Sequence, residues 1–242
     1  MSGILKLYRN ASISMKLTLS EKRQETPDVT TFVFEPEQPI TWEAGQYLHY
    51  TLPHENPDDR GIERWFTVSS APSKKYPQIT TRHSEKGSTF KTALFNLSVS
   101  DTIEADGPEG DFTLPDSVID FVFIAGGIGI TPFHSILSEL DAQGASINGL
   151  LLYANRDDQF VFGDELDAIA HRNDGLAIQY VSGDARIDET MIRQCVADLS
   201  EPVFYVSGPE PMVAAFVPML KAMGIPESHI KQDDFPGYEW KP

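Results

Sequence analysis

A glycine-rich turn is the first feature of the sequence whose residue types suit a chemical task. Gly126, Gly127 and Gly129 lie in the segment FIAGGIGITPF, between an apolar run and a predicted helix that Thr131 caps and Pro132 begins. Glycines in such a turn let a diphosphate approach bare backbone amides at the positive end of a helix. The turn predicts nucleotide binding, although the same glycines are equally typical of a tight structural turn.

Composition argues against several other kinds of site. Cys195 is the single cysteine, so the chain can hold neither an internal disulfide nor a four-cysteine zinc or iron–sulfur site. Its surroundings, IRQCVADL, predict a small buried apolar residue. The six histidines form no pair at ligand spacing on one helix face, and we therefore expect no metal site.

The charge of the chain limits its partners. Lysines and arginines number 19 against 36 aspartates and glutamates, which gives a formal net charge of -17. Such a charge repels nucleic acid and anionic membrane surfaces, and we expect neither as a partner. The longest apolar run, FVFIAGGIGI, is too short to span a bilayer, and the first residues do not resemble a signal peptide. The sequence predicts a soluble cytoplasmic protein.

The elements that position the glycine turn differ between the two halves of the chain. Up to residue 114 the apolar residues form short alternating runs, ISMKLTL, VTTFVFE, QYLHYTL, RWFTVSS and QITTRH, separated by turn-rich segments. This pattern predicts an antiparallel β-barrel domain over residues 12–114. Its one helical signal is STFKTALFNL, which Ser88 can cap.

The second half alternates apolar strands with amphipathic helices. The predicted strands are FVFIA, GLLLYA, LAIQYVS, PVFYVS and HIKQDDF. Repeated strand–helix units predict an α/β domain with a doubly wound parallel sheet over residues 117–242. Ligands of such sheets bind at the carboxyl ends of the strands.

Five segments together resemble the ferredoxin–NADP reductase-like family. AGGIGITP, YANRDDQFVFGDEL and VSGPEPM occur in that family's order and spacing, RWFTVSS resembles its flavin motif, and GPEGDF resembles its domain junction. The resemblance covers nearly the whole chain. It implies an FAD-binding barrel followed by a domain that binds NADH or NADPH.

The resemblance assigns the flavin site to the first domain. Arg64 suits the FAD diphosphate and Thr67 the region of flavin N5, while Phe66 stands where the family often has tyrosine. The turn that opens the barrel helix also holds the diphosphate in the family. The flavin-binding candidates are Arg64, Trp65, Phe66, Thr67, Arg82, Lys86, Gly87, Ser88 and Thr89.

The same resemblance assigns the nucleotide site to the second domain. Ser207, where the family usually has cysteine, would border the nicotinamide, and Arg156 would meet the adenosine ribose. Arg156 could bind a 2′-phosphate, but the two aspartates that follow it oppose that charge, so the sequence favours NADH. Arg156 and Arg186 acting together would instead favour NADPH. The nucleotide-binding candidates are Gly126, Gly127, Gly129, Thr131, Pro132, Arg156, Ser207, Gly208 and Pro209.

Asp233 and Phe235 correspond to an acidic residue and an aromatic that the family keeps beside the flavin. A C-terminal segment whose aromatics merely pack on the sheet is the alternative. With Thr67 and Ser207, these two complete the predicted catalytic residues.

The predicted function is that of an FAD-dependent oxidoreductase that moves a hydride from NADH or NADPH to flavin and electrons to a separate acceptor. Many relatives carry a [2Fe-2S] domain, but one cysteine cannot hold that cluster. Residues 60–91 are basic within an acidic chain, which favours an acidic ferredoxin or flavodoxin, with a small acceptor as the alternative. A redox-sensing or regulatory subunit with little turnover is the competing function.

Overall fold

The computed structural model describes residues 14–84, 87–115 and 120–235. Lys86 and the predicted domain ends at residues 12, 117 and 242 lie outside these ranges. Within them, no helix combines the length and the apolar character needed to cross a membrane.

The first domain is an antiparallel sheet curved into a half-barrel. Its six strands have the order β4-β3-β6-β1-β2-β5, with β4 and β5 at the two edges. They are β1 (Met15–Thr26), β2 (Val29–Pro36), β3 (Tyr47–Thr51), β4 (Glu63–Thr67), β5 (Gln78–Arg82) and β6 (Thr102–Glu109). Alternation places Leu17, Phe34 and Leu48 in one buried cluster inside the half-barrel.

One helix, α1 (Thr89–Asn96), packs against the half-barrel through Phe90 and Leu94. The predicted cap is confirmed, since the Ser88 hydroxyl accepts from the Lys91 amide. Strand β6 was not predicted, because only Ile103 and Ala105 in its mostly polar sequence are buried.

The second domain is a five-stranded parallel sheet with helices on both faces, as the alternation of strands and helices predicted. Its strands have the order β11-β10-β7-β8-β9. They are β7 (Phe121–Gly126), β8 (Gly149–Ala154), β9 (Leu176–Val181), β10 (Val203–Pro209) and β11 (Ile230–Phe235). The helices are α2 (Ile130–Ala142), α3 (Gly163–Arg172), α4 (Glu189–Cys195) and α5 (Glu210–Ala222).

Strand β7 is central, and every one of its residues is buried because the sheet has a core on each face. Phe123 and Tyr205 belong to one core, while Ile124 and Val206 belong to the other. The carboxyl ends of β7 and β10 therefore meet at one edge, where the glycine turn begins.

Two local predictions are wrong. Thr131 does not cap α2: a 3-10 turn over Gly127–Gly129 runs directly into a helix that begins at Ile130, so Pro132 is its third residue. The Thr131 hydroxyl instead donates to the Ile128 carbonyl, at 3.1 Å. Cys195 is exposed and not buried, because it is the last residue of the short surface helix α4.

Candidate functional site

A cleft of about 300 Å³ lies between the two domains. Its walls come from strands β3, β4 and β5, the start of α1, the turn before α2, and the end of β11. The lining residues are Tyr47, Arg60, Arg64, Trp65, Phe66, Thr67, Thr80, Thr81, Ser88, Lys91, Ile128, Thr131, Asp233, Asp234 and Phe235. The structure thus brings most of the predicted flavin residues and the predicted C-terminal pair into one space.

Strand β4 forms the long wall of the cleft. Arg64 and Thr67 are buried, whereas Trp65 is 62% exposed and stacks on His49 with ring centroids 4.6 Å apart. Phe66 packs on Phe90, with ring centroids at 5.8 Å. An edge strand can offer residues from both of its faces to one ligand, since its outer side carries no neighbouring strand.

Arg64 is held firmly at one end of this wall. Its Nη2 lies 2.8 Å from Asp58 Oδ1, and its Nη1 donates to the carbonyls of Arg60 and Glu63 at 2.8 and 2.6 Å. Its Nε is buried and has no hydrogen-bond partner among the described residues. An anionic oxygen in the cleft would satisfy that donor.

Asp58 joins Arg64 to the start of α1. Its Oδ2 accepts from the Thr89 amide at 3.0 Å, and the Thr89 hydroxyl accepts from the Asp58 amide at 2.9 Å. Burial of the Asp58 carboxyl opposes its ionisation, but the hydrogen bonds from the Thr89 amide and Arg64 hold its pKa below the ordinary value. Asp58 therefore ties the Arg64 guanidinium to the helix start, and its negative charge offsets part of their positive charge.

The other predicted flavin residues divide into two groups. Ser88 lines the cleft, and Gly87 lies just before it, with its amide donating to the Ser84 carbonyl at 2.8 Å. Arg82 points elsewhere: its guanidinium pairs with Asp28 at 3.1 Å, and it is not among the described residues that line the cleft. The sequence could not separate Arg82 from Arg64, because both lie on barrel strands.

The glycine turn packs closely against the end of β10. A Cβ on Gly129 would lie 2.2 Å from the Ser207 carbonyl oxygen, so no side chain fits there. A Cβ on Gly126 would lie 2.2 Å from the Met212 sulfur on α5 and 3.2 Å from Pro209, while Gly127 has a φ of +53°. Close packing thus explains the glycines, and none of the three is among the described residues that line the cleft, whereas Ile128 and Thr131 of the same turn are.

Ser207 and Asp233 pair across β10 and β11 at this edge. Ser207 is completely buried, and its hydroxyl has no hydrogen-bond partner within the described part of the chain. Asp233 lines the cleft, and burial together with the neighbouring charge of Asp234 raises the pKa of its carboxyl to about 7. Asp233 can thus exchange a proton near neutral pH.

Tyr47 and Asp58 are site residues that the sequence did not reveal. Tyr47 lies opposite Thr67 in the β3–β4 pairing, and burial and the charges of Glu109 and Asp233 raise the pKa of its phenol. Only the strand register brings Tyr47 into the cleft. Asp58 belongs to a turn-rich loop whose composition predicted no role.

The predicted adenosine-binding segment lies outside the cleft, after β8. Arg156 is 77% exposed at its side chain and lies 3.7 Å from Asp157. Asp158 accepts a hydrogen bond from the hydroxyl of Ser182, the residue that follows β9. The Asp158 carboxyl is thus held near the end of β9, whereas the Asp157 carboxyl lies beside Arg156.

The chemistry of the cleft fits FAD. One end is lined by Arg60, Arg64 and Ser88, which suits a diphosphate, and Phe66 and Ile128 offer apolar contacts to a planar ring. Hydroxyl groups and the Asp233 carboxyl complete the wall, in keeping with an apolar pocket that carries a few polar groups.

Comparisons with known proteins divide the chain in the same way. The family described as oxidoreductase FAD-binding domain matches residues 16–114, and the oxidoreductase NAD-binding domain matches residues 123–217. The glycine betaine monooxygenase reductase subunit of Chromohalobacter salexigens is 28% identical over 229 residues, covering 88% of this chain and 61% of that protein. The chain spans about three fifths of the length of such relatives.

Two solved structures share the fold. A cytochrome P450 reductase of Amycolatopsis superposes with a TM-score of 0.80 at 23% identity, covering 92% of this chain and 70% of the other. A ferredoxin-NADP+ reductase of Plasmodium falciparum gives 0.75 at 17% identity, covering 92% and 96%. Both carry the half-barrel and parallel-sheet arrangement along almost the whole of this chain.

Proposed function

Because the chain belongs to the ferredoxin–NADP reductase-like family, we propose that it takes a hydride from a reduced nicotinamide nucleotide and passes the electrons, through FAD, to a separate acceptor. FAD supplies the conversion between a two-electron donor and one-electron acceptors. One observation carries the proposal: a single cleft joins a positive end to an apolar middle and a carboxyl group with a pKa of about 7.

The positive end binds the diphosphate in this proposal. Arg64 donates to the diphosphate from Nε, which has no other partner among the described residues. Asp58 meanwhile holds Nη2 of the same guanidinium in place. Gly87, Ser88 and Thr89 add the positive start of α1. Binding is strong because the donors are already ordered.

The middle of the cleft orients the reacting rings. The buried Thr67 offers a hydroxyl to the flavin edge where the hydride arrives, and Phe66 supports the ring plane. Trp65 lies at the rim. Phe235 and Ile128 keep water from the opposite side, and Asp233 holds or releases the proton that accompanies electron transfer.

The nucleotide binds along the carboxyl edge of the parallel sheet in this proposal. Gly126, Gly127, Gly129, Thr131 and Pro132 form its phosphate-binding turn. Ser207, Gly208 and Pro209 border the nicotinamide, while Arg156 meets the adenosine ribose. NADH is the expected substrate, because Asp157 and Asp158 oppose a 2′-phosphate.

The electron acceptor is a separate protein in this proposal, in keeping with the reductase-subunit name of the relative. The basic residues of 60–91 do not form one surface. Arg60 and Lys91 line the cleft, whereas Lys74 lies on the 3-10 helix Pro72–Lys74, which packs against α2. An acidic ferredoxin or flavodoxin would therefore meet the Arg60 side, beside Trp65.

Anaerobic reduction of the reconstituted protein tests the function. The protein should retain FAD, its flavin absorbance should bleach when NADH or NADPH is added, and the electrons should then pass to a ferredoxin or flavodoxin faster than to a ferric chelate or quinone. Failure to bind FAD, or binding without bleaching by either nucleotide, would refute an oxidoreductase.

The serine at position 207, where the family usually has cysteine, favours a second function, a redox-sensing or regulatory subunit that binds FAD and NADH with little turnover. Such a protein should bind FAD and NADH but reduce its flavin far more slowly than it exchanges nucleotide. Fast bleaching followed by fast acceptor reduction excludes this alternative.

A further inference from the structure

His134 connects the two domains close to the cleft. It lies on α2, one turn after Thr131, and only 5% of its surface is exposed. Its Nδ1 lies 2.7 Å from the carbonyl oxygen of Ser69, which follows the flavin strand β4 by two residues. Since that carbonyl can only accept, Nδ1 carries the hydrogen.

A second hydrogen bond crosses the same boundary. The Ser135 hydroxyl donates to the Ser70 carbonyl at 2.7 Å. Consecutive residues of α2 therefore fix consecutive residues of the chain after β4. Because Thr67 and Thr131 line the cleft from its two sides, these contacts set the separation of its walls.

The imidazole also reaches α3, the second helix of the parallel-sheet domain. Its Nε2 lies 3.1 Å from Glu165 Oε2, and its ring stacks on Phe162, with centroids 3.7 Å apart and planes within 14°. Phe162 ends the segment that contains Arg156 and has a φ of +62°. Because the ionised Glu165 carboxyl can only accept, this contact needs a hydrogen on Nε2 as well as on Nδ1, and the hydrogen bond from His134 holds the pKa of that carboxyl below its ordinary value.

We propose that His134 is a positioning residue for hydride transfer, which fixes the nucleotide-binding helix α2 and the segment before α3 relative to the flavin strand β4. The inference rests on the proposed function. His134 does not line the cleft, so it acts through the geometry that it imposes. A displacement of about 1 Å between reacting groups can lower a rate by about 10²-fold.

Two conservative substitutions separate the contacts of the ring. His134→Asn places an amide nitrogen near the position of Nδ1 and keeps a donor for Ser69, whereas His134→Gln places it near Nε2 and keeps only the contact with Glu165. Both lose the stacking on Phe162. Packing alone predicts the larger loss of thermal stability for His134→Asn, because the shorter side chain leaves the larger cavity.

The reduction of bound flavin at saturating NADH distinguishes positioning from packing. We expect His134→Gln to be slower than wild type by about tenfold or more, with FAD affinity nearly unchanged, and His134→Asn to stay within about threefold. Arg172→Gln is the matched control, because its ion pair with Asp141 at 2.6 Å joins α2 to α3 at the end of α2 remote from the cleft. It should lower stability without slowing flavin reduction.

Hydrogen exchange of residues 128–137 gives a readout that needs no turnover. Exchange should be faster in His134→Gln than in wild type and His134→Asn. If neither nucleotide reduces the wild-type flavin, the proposed function fails, while this exchange difference would still support His134 as the link. If His134→Gln and His134→Asn have the same rate of flavin reduction and the same hydrogen exchange as each other, the inference is overturned.

Discussion

Ser207 and Asp233 lie directly opposite each other at the carboxyl ends of β10 and β11, one fully buried and the other lining the cleft. The pair places a hydroxyl without a hydrogen-bond partner, among the described residues, on the strand beside a carboxyl whose pKa is raised to about 7. The Ser207 hydroxyl thus lacks a hydrogen bond, and the surroundings of Asp233 disfavour its ionised form. Polar groups held in such unfavourable surroundings are common at reacting sites.

Asp233→Asn should stabilise the protein above neutral pH. Because the pKa of Asp233 is about 7 in the folded protein, against 3.8 for an ordinary exposed aspartate, the wild type loses stability as pH rises between those two values. The stability gained by Asn should be larger at pH 8 than at pH 5.5 by about 2 kcal/mol. Urea unfolding at the two pH values, with equal FAD loading, measures it. A gain independent of pH would show that the Asp233 carboxyl stays in water.

Ser207→Cys should change the rate of flavin reduction and leave FAD content unchanged. The thiol is larger and needs a hydrogen bond less than the buried hydroxyl, so stability should rise by about 1 kcal/mol. Stopped-flow reduction and thermal unfolding report the two effects, with Ser207→Ala as the control for loss of the hydroxyl alone. If the rate of single-turnover reduction stays at the wild-type value in both variants, the side chain lies away from the reacting centre.

Arg64→Lys should weaken FAD binding by about tenfold or more. Lysine cannot keep the bonds to Asp58 and the carbonyls of Arg60 and Glu63 while it also offers a donor to the cleft. Fluorescence titration of the apoprotein measures the affinity. Arg193→Lys, which affects only an exposed pair with Glu189 on α4, is the matched control. Equal affinities for FAD in the two variants would place the diphosphate elsewhere.

Asp158→Ala should reduce discrimination against NADPH. Asp158 is held by Ser182 beside the exposed Arg156, so its removal leaves that guanidinium less opposed near the expected ribose position. The ratio of kcat/KM for NADPH to that for NADH should rise several-fold. A wild-type enzyme that already prefers NADPH would show that Arg156 outweighs both aspartates.

The features that the sequence revealed depend on residues close together in the chain. Alternation located β4 with Arg64 and Thr67, and the alternation of strands and helices predicted all five strands of the parallel sheet. Tyr47 was missed because it reaches the cleft through its pairing with Thr67. The cap at Thr131 was wrong because a glycine turn can wind directly into a helix without a side-chain cap.

The outer edge of β4 has a consequence for how the protein is made and stored. Strand β4 pairs only with β3 in the described ranges, so its other backbone edge is unpaired, and four of its five residues line the cleft. An uncovered strand edge is a template for another chain, and in the newly synthesised protein a flavin bound there would shield it. Cofactor supply would thus govern self-association, and flavin-starved cells should accumulate the chain as aggregates.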